Sequence, residues 1–185
     1  MTLHYKIEFH SPWHCGAGLS AGADLDALVV KDKDRLPYIP GKTLKGLIRQ
    51  AVEEYAFFTK NETIDITQLF GQTDAADPND IIKGDAFFTN AELDIKEREV
   101  IVHNQLQPYL YDNIASTAID DSGIALDHSL RRKEVVLPCT LYAEIHFLND
   151  DQALFISKAM GMIKQMGVNR SRGLGRCTFC VIKEK

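Results

Sequence analysis

Leu36-Pro-Tyr-Ile-Pro-Gly-Lys-Thr-Leu-Lys-Gly-Leu-Ile-Arg49 turns a loop into a helix within a few residues. The Pro40-Gly41 pair closes an extended segment, and Gly41-Lys-Thr opens a helix expected to run to about Phe57. Leu44, Ile48, Val52 and Tyr55 recur at helical spacing and form its buried stripe. Lys42, Lys45 and Arg49 fall at i, i+3 and i+7, on a second face. The first N–H groups of a helix have no intrahelical partner, and the macrodipole favours an anion beside them. The stretch thus predicts the first helix of the fold and one half of a phosphate-binding surface.

Gly41-Lys-Thr43 is not a nucleotide-binding P-loop. That pattern needs a glycine five residues before the Gly-Lys pair, and Leu36 stands there, followed by Pro37 and Pro40. Gly16-Ala-Gly-Leu-Ser-Ala-Gly22 has dinucleotide-fingerprint spacing but leads into Ala-Asp-Leu-Asp and the extended Ala27-Leu-Val-Val30, where a fingerprint must open a helix.

On the N-terminal side, residues 2–10 alternate: Leu3, Tyr5, Ile7 and Phe9 on one face, His4, Lys6, Glu8 and His10 on the other, a half-buried strand. Residues 11–40 read as a long loop or hairpin, and residues 59–83 as a polar loop interrupted by Gly71 and Pro78. Asp85 to Leu93 reads as a second strand, about 99–133 as an insertion, and Val135 to Phe147 as a third strand. Asp150 and Asp151 are placed to cap a second helix with Phe155, Ala159, Met162, Ile163 and Met166 as its apolar stripe. Cys177 to Ile182 is the last strand. The order β, α, β, insertion, β, α, β is the split βαβ arrangement of an α+β, ferredoxin-like or RRM-like βαββαβ fold, expected as one domain over 1–185.

Arg170-Ser-Arg-Gly-Leu-Gly-Arg176 supplies the second half of the surface. Gly173 and Gly175 permit positive φ and close backbone approach. The three arginines can contact phosphate bidentately. The whole chain has a net charge of −5, which disfavours nucleic acid, but the charge is unevenly spread. Residues 31–49 hold six cations against two anions, residues 164–176 hold Lys164, Arg170, Arg172 and Arg176 with no anion, and residues 62–98 hold nine carboxylates against three cations. A local basic stripe is what a phosphate backbone senses.

Other chemistries find little support. Cys177-x-x-Cys180 sits on an expected strand, where i and i+3 face opposite ways, and no second Cys or His pair completes a zinc set. Four cysteines in 185 residues suit a reduced, cytoplasmic chain better than a disulfide scaffold. No run of about 18 apolar residues predicts a membrane span, so no membrane partner is expected. Asp24, Asp26, Asp32 and Asp34 read for the most part as solvated loop carboxylates.

Five segments in order resemble the RAMP superfamily of CRISPR-associated proteins, specifically the repeating backbone subunit of type III effector complexes. They are Trp13-His-Cys-Gly16; Asp26-Ala-Leu-Val-Val-Lys-Asp32 with Tyr38 to Arg49; Leu69-Phe-Gly71 with Gly84 to Ala91; Ala118 to Ala125, which is similar to the insertion called the thumb; and Gly167 to Arg176. The resemblance implies a subunit that stacks in copies along a CRISPR guide RNA beside other CRISPR-associated subunits, with the thumb wedged between guide and target RNA. It implies guide contacts by His14, Lys42, Thr43, Lys45, Arg49, Arg170, Arg172 and Arg176. It implies metal-dependent cleavage of the target RNA, an endoribonuclease activity, with Asp26 (Asp24 the near alternative) as catalytic residue and ligand to a divalent Mg or Mn ion. The same scaffold without catalysis, as a binding or capping subunit, is the alternative. A precursor-RNA processing endonuclease ranks third, since it usually needs a catalytic His and a second lobe. The outward faces of strands one and three carry few aromatics, which favours tracking of the backbone by cations over base stacking of the RRM kind.

Overall fold

The structure, a computed structural model, describes residues 1–18, 27–60, 64–73 and 81–182. Its central sheet has four antiparallel strands: β1 (Leu3–Phe9), β4 (Phe87–Phe88), β7 (Thr140–His146) and β8 (Cys177–Val181). Their spatial order is β4-β7-β1-β8. In chain order these are strands two, three, one and four, the ferredoxin-like arrangement expected from the sequence. The central pairing is exact enough to sort every side chain of β1: Lys6 lies between Tyr142 and Cys180, and Ile7 between Leu141 and Phe179. Leu3, Tyr5, Ile7 and Phe9 are buried, while His4, Lys6 and Glu8 are half-buried on the open face.

Helices α1 (Gly41–Thr59) and α4 (Asp150–Met160) pack on the buried face. Leu44, Ile48 and Val52 of α1 are fully enclosed, and Tyr55 meets Phe155 of α4 edge to face at 4.9 Å. Each such side chain contributes about 1.5–3 kcal/mol when taken from water. The start of α1 is fixed by close contact with the sheet edge. The Gly41 N–H donates to Asn90 Oδ1 at 3.0 Å, and a Cβ on Gly41 would lie 2.2 Å from the Phe88 carbonyl oxygen. Only glycine lets the helix begin there.

Several expectations need correction. The second strand is cut to Phe87–Phe88, because the chain bulges at Thr89, whose hydroxyl accepts from the Glu144 N–H at 2.8 Å; pairing resumes only at Glu92 with Tyr142. The expected strand from Val135 to Phe147 is two, β6 (Arg131–Val136) and β7, separated at residues 137–139, where Pro138 has no N–H for a ladder. The polar stretch 59–83 holds helix α2 (Ile66–Phe70), capped by Asp65, and the short hairpin β2 (Gly71–Thr73) and β3 (Ile81–Lys83). The cap of α4 is Asn149, in a reciprocal capping box with Gln152, so Asp150 and Asp151 occupy its first turn. That helix ends at Met160, which leaves Met162 exposed, while Ile163 and Met166 are buried beyond it.

The insertion begins earlier than expected, with α3 (Ile95–His103), and rises as the hairpin of β5 (Tyr111–Ser116) and β6. Arg98 of α3 ties it to the hairpin around residues 31–37: its guanidinium lies 2.8 Å from Asp32, 3.3 Å from Asp34 and 3.4 Å from Glu92. Asp32 also accepts the N–H groups of Asp34 and Leu36 at 2.9 Å. It is an organising carboxylate, not a solvated one.

Candidate nucleic-acid interface

The strap from His10 to Gly16 lies between the two cationic runs and joins them. On one side it holds the glycine-rich loop. The His10 N–H donates to the Arg176 carbonyl at 2.8 Å, the Arg176 N–H to Ser11 Oγ at 3.0 Å, the Gly175 N–H to the Pro12 carbonyl at 2.8 Å and the Val168 N–H to the His14 carbonyl at 3.1 Å. On the other side burial raises the pKa of the Cys15 thiol, and the neighbouring Thr43 side chain in the first turn of α1 pulls it the other way. Residues more than 120 positions apart in the chain (168 − 43 = 125 at the least) thus converge on a few strap residues.

Two glycines make the close approach possible. Gly167 (φ +88°) lies where a Cβ would sit 2.4 Å from the His14 carbonyl oxygen, and Gly175 (φ +68°) where it would sit 1.9 Å from the Met166 carbonyl oxygen. Asn169 (φ +57°) and Gly173 (φ +90°) flank the turn Arg170–Arg172. Arg170, Arg172 and Arg176 are all exposed, and none has an ion-pair partner among the described residues. Lys42 is exposed, Lys45 half-buried, and both are likewise without a carboxylate among the described residues. Thr43 is exposed beside Lys42.

Two site residues sit differently from the expectation. His14 is buried, at 2% exposure, and its Nδ1 lies 2.7 Å from the Glu134 carbonyl oxygen. A carbonyl can only accept, so Nδ1 carries the proton. The ring supports the strap from beneath instead of projecting from the surface. Arg49 stands two turns along α1, about 10 Å beyond Lys42 at 1.5 Å per residue. Its Nε donates to Glu53 at 2.7 Å and its other end to the Gly71 carbonyl at 3.0 Å, so it braces the β2–β3 hairpin. The helix N-terminus is also partly filled, since Asn90 takes the Gly41 N–H.

Asp24 and Asp26 lie outside the described residues. The chain re-enters at Ala27, which bridges to Lys133 on β6 and accepts the Glu134 N–H at 3.1 Å. Arg131, Arg132 and Lys133 therefore open the strand β6 beside Ala27. They are a run of three cations beside the chain at Ala27 that the sequence reading passed over as part of an insertion. Among the described residues no three His, Cys, Asp or Glu side chains come together to hold a metal ion. The nearby Glu134 is committed to Lys31 and to the Val29 N–H, and Asp32 to Arg98. The described residues thus offer no ligand set for the expected divalent ion. No described helix is long and apolar enough to cross a membrane.

The fold is shared with solved structures. Two similar solved chains come from cryo-EM structures. One, of the Type III-B Cmr-beta bound to cognate target RNA, aligns over 98% of this chain and 97% of that one, with a TM-score of 0.75 and 12% identity. The other, of the Type III-B Cmr-beta in the apo state, covers 100% and 98%, with a TM-score of 0.72 and 12% identity. No curated protein sequence matches. The RAMP superfamily model matches residues 6–178, from β1 through the glycine-rich loop and into β8, and the chain belongs to that superfamily.

Proposed function

We propose that this chain is an RNA-binding subunit of a type III CRISPR effector complex. Its copies line up along a guide RNA beside other subunits. The observation that carries the reading is the convergence of Lys42 and Lys45 with Arg170, Arg172 and Arg176 on either side of the His10–Gly16 strap, all without carboxylate partners among the described residues. Unpaired cations on a rigid, glycine-shaped turn suit phosphate oxygens, and such binding needs no particular base sequence. A fold of this kind occurs in the Type III-B Cmr-beta bound to cognate target RNA, which supports the same partner here.

The finer part of the proposal is cleavage of the target RNA, with Asp26 positioning the scissile phosphate; a divalent Mg or Mn ion, if Asp26 held one, would supply charge stabilisation there. Support comes from the resemblance around Asp26-Ala-Leu-Val-Val30 and from the position of Ala27 at the base of the thumb hairpin.

The test is binding of the purified chain to labelled repeat-spacer RNA of graded length, read by mass photometry. Mass rising in equal steps with RNA length is the expected result. A single copy bound at every length would replace the repeating subunit with a capping one. No binding, alone or with co-purified subunits, would refute the reading.

A further inference from the structure

The sheet edge carries an aromatic cluster that the cationic groove does not use. Phe87 points away from the core on β4 and is 57% exposed. Its register partner across the strand pair is His146, and the two rings lie 5.9 Å apart. The Phe147 ring follows at 6.1 Å from His146 and is 73% exposed. Phe147 also has φ +64°. That backbone region crowds a Cβ and is normally left to glycine and asparagine. Neither folding force accounts for this residue: its ring gains little from burial and its backbone is strained. It is held there from both sides. His146 Nδ1 is hydrogen-bonded with Thr2 Oγ1 at 3.1 Å, and the Leu148 N–H donates to the Met1 carbonyl at 3.1 Å. Strain that the surrounding contacts maintain around an exposed ring is characteristic of binding sites.

Beside these rings runs a groove of about 460 Å³, whose lining includes Lys45, Arg49, Ile82, Lys83, Phe87 and Phe147. Its one carboxylate, Asp85, accepts from Gln68 Nε2 at 3.0 Å. Arg49 is committed to Glu53 and Gly71, but Lys45 and Lys83 form no ion pair with any described residue. Exposed aromatic faces next to unpaired ammonium groups match a chain of alternating bases and phosphates. A protein partner fits less well, because the buried centre of a protein interface is depleted in lysine.

We infer that this groove is a base-stacking site for single-stranded RNA, with Phe147 and Phe87 against base faces and Lys45 and Lys83 at the flanking phosphates. The inference rests on the RNA-binding reading and extends it. Lys45 belongs to both surfaces, so a strand crossing the strap cations can continue onto the sheet edge. The site lies on the edge strand and the turn after β7, away from the inner strands that an RRM uses for stacking.

The experiment uses the full chain and a single-stranded oligonucleotide carrying 2-aminopurine, whose fluorescence is quenched by stacking. Phe147→Gly removes the ring while keeping the left-handed backbone accessible. It is expected to bind about 5- to 150-fold more weakly, from the usual worth of one stacked base. It should leave the salt slope unchanged, lose the quench, and melt at or above the wild-type temperature. Phe87→Ala should weaken binding in the same sense, and Lys83→Ala should shallow the slope by about 0.7. Wild-type affinity and quench in both phenylalanine variants would overturn the stacking site and leave RNA binding by the strap cations standing. A change in the self-association of the free chain, with RNA affinity intact, would make the patch a protein surface and also overturn it. Absence of RNA binding by the wild type, both alone and with co-purified subunits, would sink both readings together.

Discussion

The carboxylate of Glu134 and the ammonium of Lys31 meet at 2.6 Å at the base of the β5–β6 hairpin. The other Glu134 oxygen accepts the Val29 N–H at 3.1 Å, and its own carbonyl holds the His14 ring. Lys31 in turn lies 4.0 Å above the centre of the Tyr111 ring. One buried acid thus joins the chain at Val29–Lys31, the strand β6 and the strap that carries the glycine-rich loop.

Glu134→Ala is expected to cost about 1–3 kcal/mol in urea unfolding, because it leaves the Val29 N–H and Lys31 without their partner. Glu134→Gln keeps an acceptor for the N–H and loses only the charge, so it should cost less. Equal losses in the two variants would show that the amide bond is unimportant.

Glycine substitutions in the Arg-rich loop should separate by space and not by φ. Gly175→Ala drives a Cβ to 1.9 Å from the Met166 carbonyl oxygen, whereas Gly173→Ala, at φ +90°, meets nothing within 4 Å. Gly173→Ala should therefore cost about 1–2 kcal/mol, the penalty of a left-handed backbone. Gly175→Ala should cost clearly more and should also displace Arg176. Thermal melts of the two variants check the order; the reverse order would show that the loop relaxes freely.

Salt titrations test the strap cations individually. Replacing Lys42, Arg170, Arg172 or Arg176 by Ala should shallow the log–log slope of RNA affinity against salt by about 0.7 each. Arg49→Ala should leave the slope close to wild type, since that guanidinium braces Glu53 and the Gly71 carbonyl. A loss of slope at Arg49 matching that at Arg172 would place both on the phosphate path.

In the assembled complex, Asp26→Ala should slow target cleavage by at least about a hundredfold, the scale of a misplaced reacting group, with guide binding unchanged. Cleavage that persists in Asp26→Ala and falls in Asp24→Ala would move the role by two residues. Cleavage untouched by both would leave a purely binding subunit.

Burial pushes the Cys139 and Cys177 thiols up to about 12 from an ordinary 9.0. Both should resist alkylation by iodoacetamide at pH 8 in the native state, since the thiolate is the reacting form. Above about pH 9 the unfolded chain releases these protons and the folded chain retains them, so stability should fall as pH rises from 9 towards 12. Denaturant midpoints that stay flat over that range would contradict the buried assignment.

The sequence by itself determined the fold class. Period-two alternation in residues 3–9 and 141–146 and helical periodicity from Leu44 to Tyr55 are local signals, and their order leaves few topologies open. It also identified the loop glycines and the arginines that the structure leaves exposed and without ion pairs among the described residues. What it could not supply were facts about partners far away in the chain. Asn90 takes the first N–H of α1, Arg98 claims Asp32, and the Glu134 carbonyl claims His14, all across dozens of residues. Whether a charged or polar side chain is a free contact or a brace depends on which distant group reaches it first. Residue type and spacing do not encode that choice; tertiary packing makes it, which is why Lys42 and Arg49 look alike in the sequence and different in the folded chain.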